Sequence, residues 1–472
     1  MYKGFVMKKI VLLIFITIRV FCSDNQTPDC SPVIVNGILP FSINIQRAGF
    51  TLPRGIQSGA FAQSGAEVLF IAGRTNGLHG FSNGDNNFPP RQQNSTVYVV
   101  NLATQTVAAR SLHDPSSGLT QQQIDTLSVT SPQSYQNGNT LYMTGGYGVE
   151  PCTGNFSTKD TLTAINVAGL MSWVKSCNCN TYASQYIRQI SHPIFQVTGG
   201  EMRQVDNNPT LLIFGQNFSG FYNDSANGAY TQQVRRFQII DDGINLSVNV
   251  EPSTPQNPNY RRRDLNVVSM ITFDHSQNKI PGFVALSGVF TVNTGIWTVP
   301  VEITADGQPT MADPSLPTTF KQGMNNYNSA TVSLLSGTGD MFFILFGGIT
   351  FEYYQNGMFK TDSEIPFTNE ITVVKRDSSG IYTQYLLPTT YPIILSTGPH
   401  LGNRLLFGAG AKFIPVPGIP MSGNGVLDLA QITTPTVIGY IIGGIQSTLH
   451  NTNTQLDSAA SPYIFEVILT PN

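Results

Sequence analysis

The chain has 472 residues, of which 40% are hydrophobic and 11% charged, with a formal net charge of −3. Such a composition supports a large buried core, and no break in it divides the chain into two unlike halves. A near-neutral surface filled by Asn, Gln, Ser and Thr excludes a nucleic-acid partner held by a basic face.

At the N-terminus, Lys8 and Lys9 precede the apolar run Ile10 to Ile18, the pattern of a secretory leader and too short to span a bilayer. Cleavage after Cys22 is expected, leaving one domain over 23–472 in a secreted or periplasmic setting. Phe21 before Cys22 fits a lipoprotein signal poorly, so a lipid anchor at Cys22 is disfavoured. No later stretch is long and apolar enough to cross a membrane. Cys30, Cys152, Cys177 and Cys179 then remain, an even number that suits disulfides, with three pairings open. Cys177 and Cys179 stand too close in sequence to bond each other readily and are expected to find separate partners in Cys30 and Cys152. The spacing lacks the paired C-x-x-C of a zinc site. Sequons at Asn94, Asn155, Asn217, Asn223 and Asn245 matter only in a eukaryotic secretory pathway.

Beyond the leader, Phe41, Ile43 and Ile45 alternate with Ser42, Asn44 and Gln46, which suits an edge strand. A short apolar run ending in glycine then recurs: VLFIAGR from Val68, TLYMTGG from Thr140, LLIFGQ from Leu211, FVALSG from Phe283, FFILFGG from Phe342 and VIGYIIGG from Val437. Each run reads as a strand buried on both faces, with glycine permitting a sharp exit. The recurrence over the whole chain indicates a repeat array.

These runs resemble the kelch repeat, whose blades carry a hydrophobic strand, a double glycine, a long loop and then a strand with Tyr and later Trp. Strict double glycines stand at Gly145 and Gly146, Gly347 and Gly348, and Gly443 and Gly444; Tyr98 sits where the Tyr belongs, but Trp occurs only at Trp173 and Trp297. The resemblance implies an all-β, six-bladed kelch-like β-propeller, and it says nothing about chemistry, since such propellers host enzymes and binding modules alike.

Blade by blade, the inner strands are expected near Gly59, Leu127 to Tyr135, Gly200, Leu265, Ser329 and Arg404 to Ile414. The second blade is expected to finish with a strand from Ser172 to Ser176. The sixth runs out of chain after Tyr463 to Leu469, so the N-terminal strand near Phe41 is predicted to complete it, because a closed ring removes free sheet edges.

Connections after the second strands are long and those after the third read as short turns, so the long loops are expected to share one face, where binding residues concentrate. On that face we place Arg54, Arg74, His79, Tyr147, Gln216, Arg262, Arg263, Tyr327 and His400, with Glu201 and Arg203 on an inner strand. The NYRRRD segment from Asn259 presents guanidiniums suited to carboxylate or phosphate, or else tied to Asp264 and neighbouring carbonyls.

No G-x-S-x-G elbow, H-E-x-x-H, P-loop or dinucleotide fingerprint is present. No cofactor or metal is expected, and a copper oxidase would need a convergent His and Tyr set near a Cys that this sequence does not supply. Two readings remain. One is a monomeric, exported module binding a carbohydrate or protein through an Arg-lined loop face. The other follows the resemblance to six-bladed periplasmic kelch proteins that interconvert sialic acid anomers, with Glu201, Arg203 and Arg263 as the acid/base and carboxylate-holding set.

Overall fold

A computed structural model of the chain describes residues 31–81, 87–150, 153–176, 181–223, 228–292, 295–355, 357–452, 454 and 456–472. The stretch expected to be a leader, its expected cleavage site and Cys30, Cys152, Cys177 and Cys179 lie outside those residues. No helix among the described residues is long and apolar enough to cross a membrane.

Six antiparallel sheets, each run from an inner to an outer strand, form a six-bladed β-propeller. Blade 1 takes Ala60–Ser64, Glu67–Ile71, Thr96–Asn101 and Thr106–Ser111. Blade 2 takes Gln133–Asn137, Thr140–Thr144, Thr161–Asn166 and Ile187–Ser191; blade 3 takes Glu201–Arg203, Thr210–Ile213, Val234–Asp241 and Leu246–Glu251. Blade 4 comprises Asn266–Phe273, Lys279–Leu286, Val301–Thr304 and Pro309–Met311, and blade 5 Ala330–Leu335, Met341–Ile349, Phe367–Arg376 and Tyr382–Thr390. Blade 6 draws Ala411–Pro415, Thr436–Gly443 and Tyr463–Pro471 from one end of the chain and its outer strand, Phe41–Thr51, from the other. The closing pair is antiparallel, with Phe41 opposite Pro471 and Arg47 opposite Phe465.

Six apolar clusters fill the six gaps between neighbouring blades. Middle strands are therefore covered on both faces, which is why Met341–Ile349 is buried at every position and reads as a continuous apolar run. The same gaps hold polar ties. Between blades 2 and 3, Asp241 accepts from Arg188 at 2.7 Å and from the Tyr142 hydroxyl at 3.0 Å. Between blades 4 and 5, Glu302 accepts from Arg376 and from the Tyr382 hydroxyl, each at 2.8 Å.

Two expectations are corrected. Residues 172–176 form no strand: they end the helix Val167–Lys175, capped by Asn166, whose Val167, Leu170, Met171 and Val174 recur at helical spacing and face the core. The helix seats Trp173 against blade 1, its indole N–H donating to the Ser116 carbonyl at 3.1 Å, and Ile187–Ser191 supplies the outer strand instead. Long excursions also do not all leave one rim. Because strands within a blade are antiparallel, this helix, after a third strand, leaves by the rim opposite the loops that follow second strands. So does the hairpin of Met421–Gly423 and Val426–Asp428, which follows an inner strand and pairs in parallel with the inner strand of blade 5.

Around the axis, one residue per blade just before the inner strand is left-handed: Ser58, Ser131, Gly199, Asp264, Asn328 and Gly410, with φ between 49° and 69°. Each N–H donates to the carbonyl of the preceding member, Ser58 to Gly410 included, at 2.6 to 3.2 Å. Six blades are thus stitched into one closed collar of backbone hydrogen bonds. Non-glycine residues in this conformation each cost about 1 kcal/mol, which the collar and its packing offset.

Candidate functional site: the loop-rim cavity

In four blades the connection after the second strand folds as a small ribbon: Tyr147–Glu150 with Asn155–Thr158, Gln216–Asn217 with Ala229–Tyr230, Glu352–Gln355 with Met358–Thr361, and Ile445–Ser447 with Ser458–Ala460. The connection of blade 1 reaches across the axial end. Asn76 bridges to Ala459 of blade 6, and Leu78 packs with Ile349 and Ile445 of blades 5 and 6. His79 and Phe88 meet Tyr222 of blade 3, with ring centroids 4.7 and 5.4 Å away.

These segments enclose a cavity of about 420 Å³ to which every blade contributes. Phe81, Phe88, Tyr147, Phe218, Tyr222, Phe290 and Tyr327 supply aromatic rings to its lining, and five residues of the collar, Ser58, Ser131, Gly199, Asp264 and Asn328, line it too. At its centre Arg263 contacts the Asp264 carboxylate and donates to the hydroxyls of Tyr230 and Tyr222, both at 3.2 Å. Burial pushes the Arg263 guanidinium towards neutrality, but Tyr222, Tyr230 and Asp264 more than offset this and raise its pKa. It therefore stays a fixed cation whose charge Asp264 balances.

Arg74 is 2% exposed, donates to Asn76 Oδ1 at 2.9 Å and lies over the Phe88 ring at 4.7 Å. Burial lowers its pKa to about 9, so it remains charged at neutral pH. Burial likewise lowers His79 to about 4, with Arg263 and Arg74 adding to the shift against the bond to Gly80; the ring is neutral. The Tyr147 hydroxyl donates to the Gly220 carbonyl at 2.6 Å. Tyr327 differs: its hydroxyl has no hydrogen-bond partner among the described residues, and burial raises its pKa.

Of the residues singled out from sequence, Arg74, Tyr147, Gln216, Arg263 and Tyr327 converge on this cavity, as does His79. The others go elsewhere. Arg262, fully buried, commits its guanidinium to the carbonyls of Ser287 and Val299 and stacks on Trp297 at 4.8 Å, holding blade 4 together. Arg261 does similar work on Phe290 and Thr291, so one arginine of three reaches the site. Arg54 is exposed and reaches Gln92 at 3.4 Å; His400 pairs with Asp457 at 2.7 Å on an outer loop.

Glu201 and Arg203 line a different space, an axial channel of about 800 Å³ beyond the collar. There they pair with each other at 3.1 Å, and Arg203 also donates to the Val267 carbonyl at 2.9 Å. The channel is larger than the loop-rim cavity, but it follows from the ring itself, since six inner strands cannot meet on an axis. The loop-rim cavity is built by side chains on inserted segments, which is where specificity is usually carried. Sequence reasoning missed Tyr222, Tyr230 and Phe88 as site residues. They lie in long loops without a repeat to mark them, and only their meeting across the axis gives them a role. Among the described residues no group of three His, Cys, Asp or Glu is placed to hold a metal ion.

Fold and site together define a β-propeller with an aromatic, Arg-bearing cavity at one axial end. No family model matches the chain and no curated protein matches it. Among solved structures, that of YjhT aligns over 88% of this chain and 95% of its own, at 12% identity and a TM-score of 0.45.

Proposed function

We propose that this chain is an exported binding propeller that takes a carbohydrate in the loop-rim cavity. The observation that carries the reading is the cavity's make-up. Aromatic walls offer flat apolar faces to a sugar ring, while Arg74, His79, Gln216 and the Tyr327 hydroxyl, without a partner among the described residues, offer a few directional polar contacts, the usual balance of a small-molecule site. Asp264 neutralises Arg263, so that guanidinium does not itself demand an anion, and Arg74 is the remaining charged donor in the lining. Paired left-handed positions at the ends of the second strands support placing the chain among kelch-type propellers.

The enzyme alternative loses support from the mutual pairing of Glu201 and Arg203, which ties up the acid/base and anion-holding groups. Arg263 lies in the other cavity, apart from them.

Saturation-transfer NMR of the full chain against a panel of mono- and disaccharides tests the reading. We expect at least one neutral sugar to bind, and Tyr327→Phe to weaken it about tenfold, the value of one ligand hydrogen bond of about 1.4 kcal/mol. Binding unchanged in both Tyr327→Phe and Tyr222→Ala would place the ligand elsewhere.

A further inference from the structure

We infer that His79 determines specificity in the loop-rim cavity by accepting a hydrogen bond from the ligand, so that the cavity selects a ligand presenting a hydroxyl or N–H donor at that point. This rests on the binding reading above and narrows it.

His79 Nδ1 lies 2.8 Å from the Gly80 carbonyl oxygen. A carbonyl only accepts, so Nδ1 carries the proton and Nε2 keeps a bare lone pair. The ring is held by Phe81, Phe88 and Tyr222, with centroids 4.7 to 4.8 Å away, and no carboxylate among the described residues pairs with it to stabilise an imidazolium. Two nearby guanidiniums, Arg74 and Arg263, oppose protonation further. The neutral tautomer is therefore fixed by one backbone bond and three rings, and Nε2 has no donor among the described residues although the side chain lines the cavity.

An acceptor so placed favours a ligand hydroxyl. It disfavours a carboxylate, a phosphate or an ether oxygen at the same point, where lone pair would face lone pair and both groups would go unsatisfied. The ligand class is thus a polyol-type sugar with a free hydroxyl directed at His79, rather than an anionic group docked there.

Two measurements on the full chain test this. Long-range proton–nitrogen NMR without ligand should show His79 as the Nδ1–H tautomer at pH 7; an Nε2–H tautomer overturns the inference while leaving the cavity reading untouched. For whichever sugar of the panel binds, His79→Phe should weaken binding at least tenfold, His79→Gln should stay within about threefold because its amide oxygen still accepts, and the matching O-methyl sugar should bind poorly to the wild type. A His79→Phe variant that binds the sugar like the wild type, or an O-methyl sugar that binds equally well, overturns it. A panel with no binder overturns the cavity reading and this inference with it.

Discussion

At the scale of single residues, the second glycine of each repeat is the constrained one. At the first of the two positions the chain uses Ala72, Gly145, Phe214, Ser287, Gly347 and Gly443, all left-handed with φ of 56° to 73°. The position needs a left-handed backbone and in three blades accommodates a side chain, so the double glycine is blurred in the sequence although the geometry is kept. The second position is always glycine. A Cβ on Gly73 would sit 2.4 Å from the Gln57 carbonyl oxygen and 2.9 Å from the Gly59 nitrogen, backbone atoms with nowhere to retreat. Gly73→Ala is therefore expected to destabilise the fold by more than about 2 kcal/mol. Gly65→Ala is the control: it shares the positive φ but meets nothing within 4 Å, and should cost about 1 kcal/mol. Denaturant unfolding of the two variants checks the pair, and equal losses would show that backbone conformation alone sets the requirement.

At the scale of elements, polar ties between blades set the acid limit of stability. Burial pushes the Asp241 carboxyl up, but bonds from Arg188, the Gly243 N–H and Tyr142 more than reverse this and hold its pKa below the ordinary value of 3.8. A carboxylate more acidic when folded than unfolded contributes stability above its unfolded pKa and loses it as pH falls through the folded one. Asp241→Asn is expected to cost about 2 to 3 kcal/mol at pH 7, since it leaves the half-buried Arg188 without its anion. That gap should narrow in melting curves recorded at pH values progressively below the ordinary carboxylate pKa, as the wild-type carboxyl also takes up a proton. A gap independent of pH would assign the loss to packing. Such ties were illegible beforehand, because Asp241 reads locally as a hairpin turn with Asp242 and Gly243 and its partners are 53 and 99 residues away. Strands buried on both faces were legible from their apolar runs. Helix Val167–Lys175 was not, since its β-prone Val167, Trp173 and Val174 favour a strand until Asn166 caps the turn and blade 1 offers a pocket for the indole.

Over the whole molecule, ring closure is what places six blades around one cavity. Phe41, Ile43 and Ile45 are each at most 4% exposed in the seam with the C-terminal strand, and burying three such side chains contributes about 5 kcal/mol or more, comparable to the net stability of a domain. Deleting residues up to Thr51 should abolish the cooperative melt; a truncated chain that melts like the full one would mean the last blade closes without its N-terminal strand. The sequence carried this seam because the chain ended one strand short. It carried about half of the cavity, because Arg74, Tyr147, Gln216, Arg263 and Tyr327 follow or precede recognisable strands. Arg262 misled because a guanidinium at the entrance to a strand looks the same whether it meets a ligand or the carbonyls of its own blade. The most direct test of the account is a crystal structure of the full chain with the best sugar of the panel. Density for the sugar against Tyr327 and His79, on the loop side of the collar, is the predicted result; density in the axial channel beside Glu201 and Arg203, with the loop-rim cavity empty, would contradict it.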